Sequence, residues 1–83
     1  MAKKKVLNRI KVVLVEKGRT NNWLAQKIGK EKVTISRYCT NDTQPSLQTL
    51  YQIADVLEID VRELLIPNVQ KEAVILSKPK SKN

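Results

Sequence analysis

The 83-residue chain has no histidine, no phenylalanine, two glycines and a single cysteine, Cys39. Each scarcity removes a class of function. Without histidine the commonest general base and metal ligand is missing. Cys39 alone cannot close an internal disulfide, has no histidine to activate it as a nucleophile, and leaves no ligand set for a structural zinc. Gly18 and Gly29 are too few and too far apart to form a phosphate-cradling loop. The acidic pairs have ordinary roles, Asp55 and Glu58 on a solvated helix face and Asp60 and Glu63 in helix capping. Neither catalysis nor a metal or other cofactor is expected.

Long apolar runs are also missing, since none approaches the ~20 residues needed to cross a bilayer. The start, MAKKKVLNRIKVVLVEKG, is basic and then apolar, as a secretory leader would be. Asn8, Arg9, Lys11 and Glu16 interrupt the apolar part and no small-residue cleavage site follows. It reads as a helix of a cytoplasmic protein. The length allows one small domain, whose core must be efficient or supported by a partner.

Charge is abundant and unevenly placed. The net charge is +8, made of +9 over residues 1–41, −4 over 42–66 and +3 over 67–83. One basic half and one acidic half give a directional surface, as a polyanion binder needs.

Five helical segments are predicted. Leu7, Ile10 and Leu14, flanked by Val6 and Val13, recur at three- and four-residue steps, so the first helix covers about Leu7 to Lys17 and Gly18 closes it. Thr20 caps a second helix, about Asn21 to Lys27, with Leu24 and Ile28 inward and Gly29 as its stop. The third occupies Lys32 to Thr40, with Glu31 at its positive end. Only about three residues separate the second and third, so the two must cross steeply, as in a helix-turn-helix. After a loop at 41–45, Ser46 caps a fourth helix whose apolar stripe runs through Leu47, Leu50, Ile53, Ala54 and Leu57. Asp60 and Glu63 form a capping-box pattern that opens a short fifth helix, ended by Pro67. Before residue 72 almost nothing resembles a strand. AVILS at 73–77 has strand propensity without a mate inside the domain, and KPKSKN is disorder-like in composition.

Stepping 100° per residue along the third segment separates two faces. Ile35 and Tyr38 point one way and anchor the helix. Lys32, Val33, Ser36, Arg37 and Thr40 point the other way. Arg37 and Lys32 can donate to guanine, Val33 can touch a thymine methyl, and Ser36 and Thr40 can bond bases or backbone. Cys39 lies on the border, as a small packing residue.

Taken in order, T-x-x-x-LA-x-x-I-G at 20–29, T-I-S-R-Y at 34–38, P-S-L-x-T-L at 45–50 and the closing I-A-x-x-L and V-x-E-L-L resemble the lambda-repressor-like helix-turn-helix family, the phage repressor and Cro type. The likeness spans about Leu7 to Leu65. It implies a compact all-α five-helix domain over 6–66, between a basic extension at 1–5 and a basic C-terminal tail at 67–83 that is flexible or partner-binding. It also implies sequence-specific regulation of transcription on double-stranded DNA. Lys32, Val33, Ser36 and Arg37 would then meet base edges in the major groove. Thr20 and Asn21 would meet the phosphate backbone, as would Thr40, Asn41 and Thr43 in the loop after the third helix. Members of this family commonly pair through the fifth helix and the turn before it, which makes Leu57, Ile59, Val61 and Leu65 the candidates for a homodimer interface. Where many members have Glu-Asn-Gly after the tyrosine, this chain has Cys39-Thr40-Asn41, and Asn41 can take the left-handed conformation that glycine would supply. Trp23 replaces a frequently charged residue and is expected to pack on the neighbouring helix, with a phosphate contact through its indole N–H as the other role. Two further functions fit the same residues: an antitoxin or other interaction module whose partner binds the tail, and non-specific binding of polyanions through the lysines.

Overall fold

Four short α-helices form where capping residues and apolar spacing coincide: α1 Ile10–Glu16, α2 Asn21–Ile28, α3 Lys32–Cys39 and α4 Leu47–Leu57. A 3-10 turn, Val61–Leu64, follows. These come from a computed structural model that describes residues 5–69. The basic start at 1–4, the AVILS stretch and the KPKSKN end lie outside the described residues. Among the described residues no helix is long and apolar enough to cross a membrane, and no cluster of side chains could hold a metal ion.

The all-α expectation holds, but the fifth helix is not an α-helix. Only four residues separate the Asp60 cap from Leu65, whose backbone is already extended, and the turn closes through three-residue steps, Glu63 N to Asp60 O at 2.9 Å and Leu65 N to Arg62 O at 3.2 Å. The Asp60 carboxylate accepts from the backbone N–H of Arg62 at 2.8 Å and pairs with its guanidinium at 2.9 Å. Arg62, not Glu63, completes the cap. Those bonds pull the Asp60 carboxyl down to about 2, so their small contribution is present above the ordinary carboxylate range and is lost as pH falls toward 2.

α1 also differs from its apolar spacing, starting at Ile10 and not at Leu7. Asn8 Oδ1 accepts from the Ile10 N–H at 3.0 Å, which opens the helix there. Residues 7–9 ahead of it pair with the far end of the domain. Asn8 and Leu65 form a one-pair antiparallel bridge, with Arg9 N on Leu64 O at 2.8 Å and Ile66 N on Leu7 O at 3.0 Å. Val6 and Leu7, assigned to the buried stripe by their spacing, are 58% and 47% exposed.

The core draws on every element: Ile10, Val13 and Leu14 from α1, Leu24 and Ala25 from α2, Ile35 and Tyr38 from α3, Leu50, Ile53, Ala54 and Leu57 from α4, and Leu64. Completely burying each large aliphatic side chain contributes about 1.5–3 kcal/mol, which lets helices of two to three turns persist.

Each helix ends at a left-handed residue: Gly18, Gly29, Asn41 and Glu58. After α1, Arg19 N reaches back to Leu14 O and Gly18 N to Val15 O, a pairing that satisfies the last carbonyls. After α4, Ile59 N reaches Ala54 O and Glu58 N reaches Asp55 O in the same way. Glu58, at φ 59°, has a Cβ that disfavours this conformation. Glu58→Gly is therefore expected to stabilise the domain by about 1 kcal/mol and to raise Tm by roughly 4–8 °C. A thermal melt that falls or stays put would count against the assignment.

Candidate nucleic-acid interface

α2 and α3 meet through a turn with a specific chemistry. Gly29 sits at φ 70° and Lys30 N returns to Ala25 O at 2.9 Å, so the chain reverses within three residues. Ile35 and Tyr38 then fasten α3 to the core, at 0% and 8% exposure. The opposite side of α3 carries Lys32, Val33, Ser36 and Arg37, all exposed. Val33 leaves 54% of its surface in solvent, although an apolar β-branched side chain gains nothing there. Neither Lys32 nor Arg37 forms a side-chain hydrogen bond or ion pair with a described residue. The predicted separation of the helix into anchor and open face is thus present in the structure.

The start of α2 lies beside that face. Thr20 Oγ1 accepts from Trp23 N at 3.0 Å, leaving its own O–H free to donate outward. The backbone N–H groups of Asn21 and Asn22 have no partner in the first turn. Thr20, Asn21 and Asn22 line an open hollow with Lys11, Arg19 and Lys32. Three cations around free backbone donors at a positive helix end suit an anion. Of the hollow's residues, the sequence nominated Thr20, Asn21 and Lys32; Lys11, Arg19 and Asn22 join them through the fold. Only the excess of basic residues in the first half of the chain pointed their way.

Asn21 is half-buried, and its side chain is already engaged. Cys39 Sγ donates to Asn21 Oδ1 at 3.4 Å, joining the end of α3 to the start of α2. Burial pushes the Cys39 thiol up, with the nearby Lys11 charge opposing. Cys39 is the packing residue its position suggested. Only Oδ1 is engaged, so Asn21 can still offer a phosphate its backbone N–H and its Nδ2.

The loop after α3 divides the remaining candidates. Thr43 is exposed. The Thr40 hydroxyl faces the Asp42 carboxylate at 2.8 Å and the Arg37 carbonyl at 3.3 Å, so its one proton is committed inside the loop. Asn41 corrects the sequence-based assignment most clearly. It takes the left-handed conformation, φ 62°, as expected, but its side chain is buried and turned inward, away from any phosphate. Its Oδ1 accepts from Leu7 N at 2.8 Å, Asn8 N at 3.1 Å and Gln44 Nε2 at 3.0 Å. Its Nδ2 donates to Asn8 O at 3.3 Å. Asn8 answers with Nδ2 on Tyr38 O at 3.0 Å and Gln44 Oε1 at 2.7 Å. A closed polar network thus ties the N-terminal segment to the end of α3.

Leu57, proposed as an interface residue, is 3% exposed and belongs to the protomer's own core. Ile59 and Val61 are half-buried and Leu65 is 40% exposed, so these three remain accessible. Trp23 is half-buried against the core, as expected, and also stacks under the Arg19 guanidinium, 4.5 Å from the ring centroid.

A helix-turn-helix family model matches residues 10–64. The chain belongs to the helix-turn-helix family. The matched span begins at the first residue of α1 and ends at the last residue of the 3-10 turn. Of the paired ends of this helix-turn-helix protein, at 7–9 and 64–66, all but Leu64 lie just outside it. Antitoxin HipB of Escherichia coli O6:H1 is 35% identical over 66 residues, which cover 80% of this chain and 70% of that protein. A crystal structure of a provisionally assigned DNA-binding protein from Bacteroides fragilis is 57% identical with a TM-score of 0.72, over 72% of this chain and 97% of that one.

Proposed function

We propose that this chain is a sequence-specific regulator of transcription that binds double-stranded DNA, reading the major groove with α3 and acting by binding alone. The observation that carries this reading is the open face of α3. Lys32, Val33, Ser36 and Arg37 stand together with no side-chain hydrogen bond or ion pair to a described residue, next to the anion-suited start of α2. The likeness to a DNA-binding assignment at 57% identity supports the same reading. A single domain contacts ~4 to 6 base pairs, so a homodimer on a pseudo-palindromic operator, with half-sites about one helical turn apart, follows. Ile59, Val61 and Leu65 are the residues for that contact.

Selection of bound duplexes from a random pool tests this directly. Enrichment of an inverted repeat is expected, whereas a pool that stays random would leave only charge-driven binding. Thr20→Ala should lower stability by about 1 kcal/mol by removing the cap. It should also weaken binding to every duplex alike, because phosphates carry no sequence. Fluorescence anisotropy on selected and scrambled duplexes, paired with thermal melts, separates the two effects.

The likeness to an antitoxin favours a second reading, in which the chain also neutralises a partner protein and represses its own synthesis. The tail at 67–83 is then the partner-binding part. A small protein that co-purifies with this chain in fixed stoichiometry from its native host would support it.

A further inference from the structure

Two neighbouring hollows share one residue, Arg19. It lines the hollow at the start of α2 with Lys11, Asn22 and Lys32, and a second hollow with Lys17, Trp23 and Glu58. Its guanidinium carbon lies 4.5 Å from the centroid of the Trp23 ring, while Lys27 Nζ lies 5.9 Å from the same ring. Lys27 stands four residues after Trp23 on α2, whereas Arg19 lies ahead of the Thr20 cap and is brought to the ring by the turn after α1. A stacked guanidinium keeps its N–H edges free while its plane is held.

The Arg19 guanidinium forms no hydrogen bond or ion pair with a described residue, its backbone N–H alone being engaged, on Leu14 O. It is thus a donor held in place with nothing to donate to, one residue ahead of the outward Thr20 hydroxyl and the free N–H groups of Asn21 and Asn22. Lys11, Lys17 and Lys32 surround it and raise the positive potential there.

We propose that Arg19, held in plane by stacking on Trp23, grips a DNA phosphate next to the one taken by the start of α2. Trp23 is a positioning residue in this arrangement and does not itself touch DNA. The inference rests on the DNA-binding reading above and adds a contact that reading does not contain. It also gives the lone tryptophan a task beyond packing.

The test measures affinity of the full chain for one selected duplex and one scrambled duplex across a salt series. Arg19→Ala is expected to weaken both duplexes by the same factor and to flatten the slope of log K against log salt by ~0.9, the signature of one lost phosphate contact. Arg19→Lys should keep the slope but bind several-fold more weakly, because the charge survives and the planar stacking does not. Trp23→Leu should resemble Arg19→Lys, and Trp23→Phe should restore binding. Thermal melts identify any Trp23 variant that fails to fold, and the exposed Arg19 then decides the matter. An unchanged slope in Arg19→Ala, while Arg37→Ala still loses selectivity, overturns the contact and leaves the DNA reading standing. Equal affinity of the unaltered chain for both duplexes overturns the DNA reading itself.

Discussion

Asn41→Gly is expected to destabilise the domain by about 2–4 kcal/mol, although glycine is the residue best suited to a left-handed backbone. Two effects compete at this position. At φ 62° glycine removes a small backbone strain, the smaller because asparagine tolerates that region well. Against this, the substitution removes the oxygen that accepts from Leu7 N, Asn8 N and Gln44 Nε2, together with the donor on Asn8 O. Asn8 is 4% exposed, so its N–H has little water to turn to. An orphaned buried donor costs about 1–3 kcal/mol, and two backbone donors are affected. The network outweighs the turn. Asn41→Asp keeps the acceptor and loses the donor, and should fall between the two. Denaturant unfolding measures all three proteins, and a glycine variant as stable as the original would show that the network contributes little.

Arg37→Ala carries the largest expected effect on recognition. A loss of about 1–3 kcal/mol on the selected duplex is expected, with one base position relaxed and little change on scrambled DNA. The arginine side chain is exposed on the open face of α3 and bonds to no described residue, so the fold should survive intact. Competition binding against a panel with each operator base exchanged would locate the relaxed position. If the variant lost nothing on any duplex, α3 would not be the reading helix.

Helix ends were legible where the signal was local. Thr20, Gly29 and Ser46 marked α2 and the start of α4 to within a residue, because a cap or a left-handed stop acts on its own neighbours. The division of α3 into anchors and open face followed from helical geometry alone. Elsewhere the deciding partner lay far along the chain. Val6 and Leu7 continued the apolar spacing of α1, yet the Leu7 backbone bonds to Ile66, and no three-residue pattern separates a bridged arm from a helical turn. Asn41 looked like a polar loop residue suited to a phosphate because its partners, Leu7 and Asn8, stand 34 and 33 positions earlier. Leu57 drew a partner-facing role only from the family resemblance, whereas its place on the apolar stripe of α4 pointed to the core, where it lies. The Arg19–Trp23–Lys27 spacing was visible in the sequence, but only the fold shows that the guanidinium lies on the ring.

The bridge between Asn8 and Leu65 also has a mechanical meaning. Leu7 lies opposite Ile66, so tension applied to the two ends of the chain enters the ladder from the same side. Such a load peels bonds one after another and never shears them together. The Ile66–Leu7 bond would part early, and the Asn41 bonds to Leu7 and Asn8 would carry load with it, ahead of Arg9–Leu64. A domain pulled this way opens at its seam under low force.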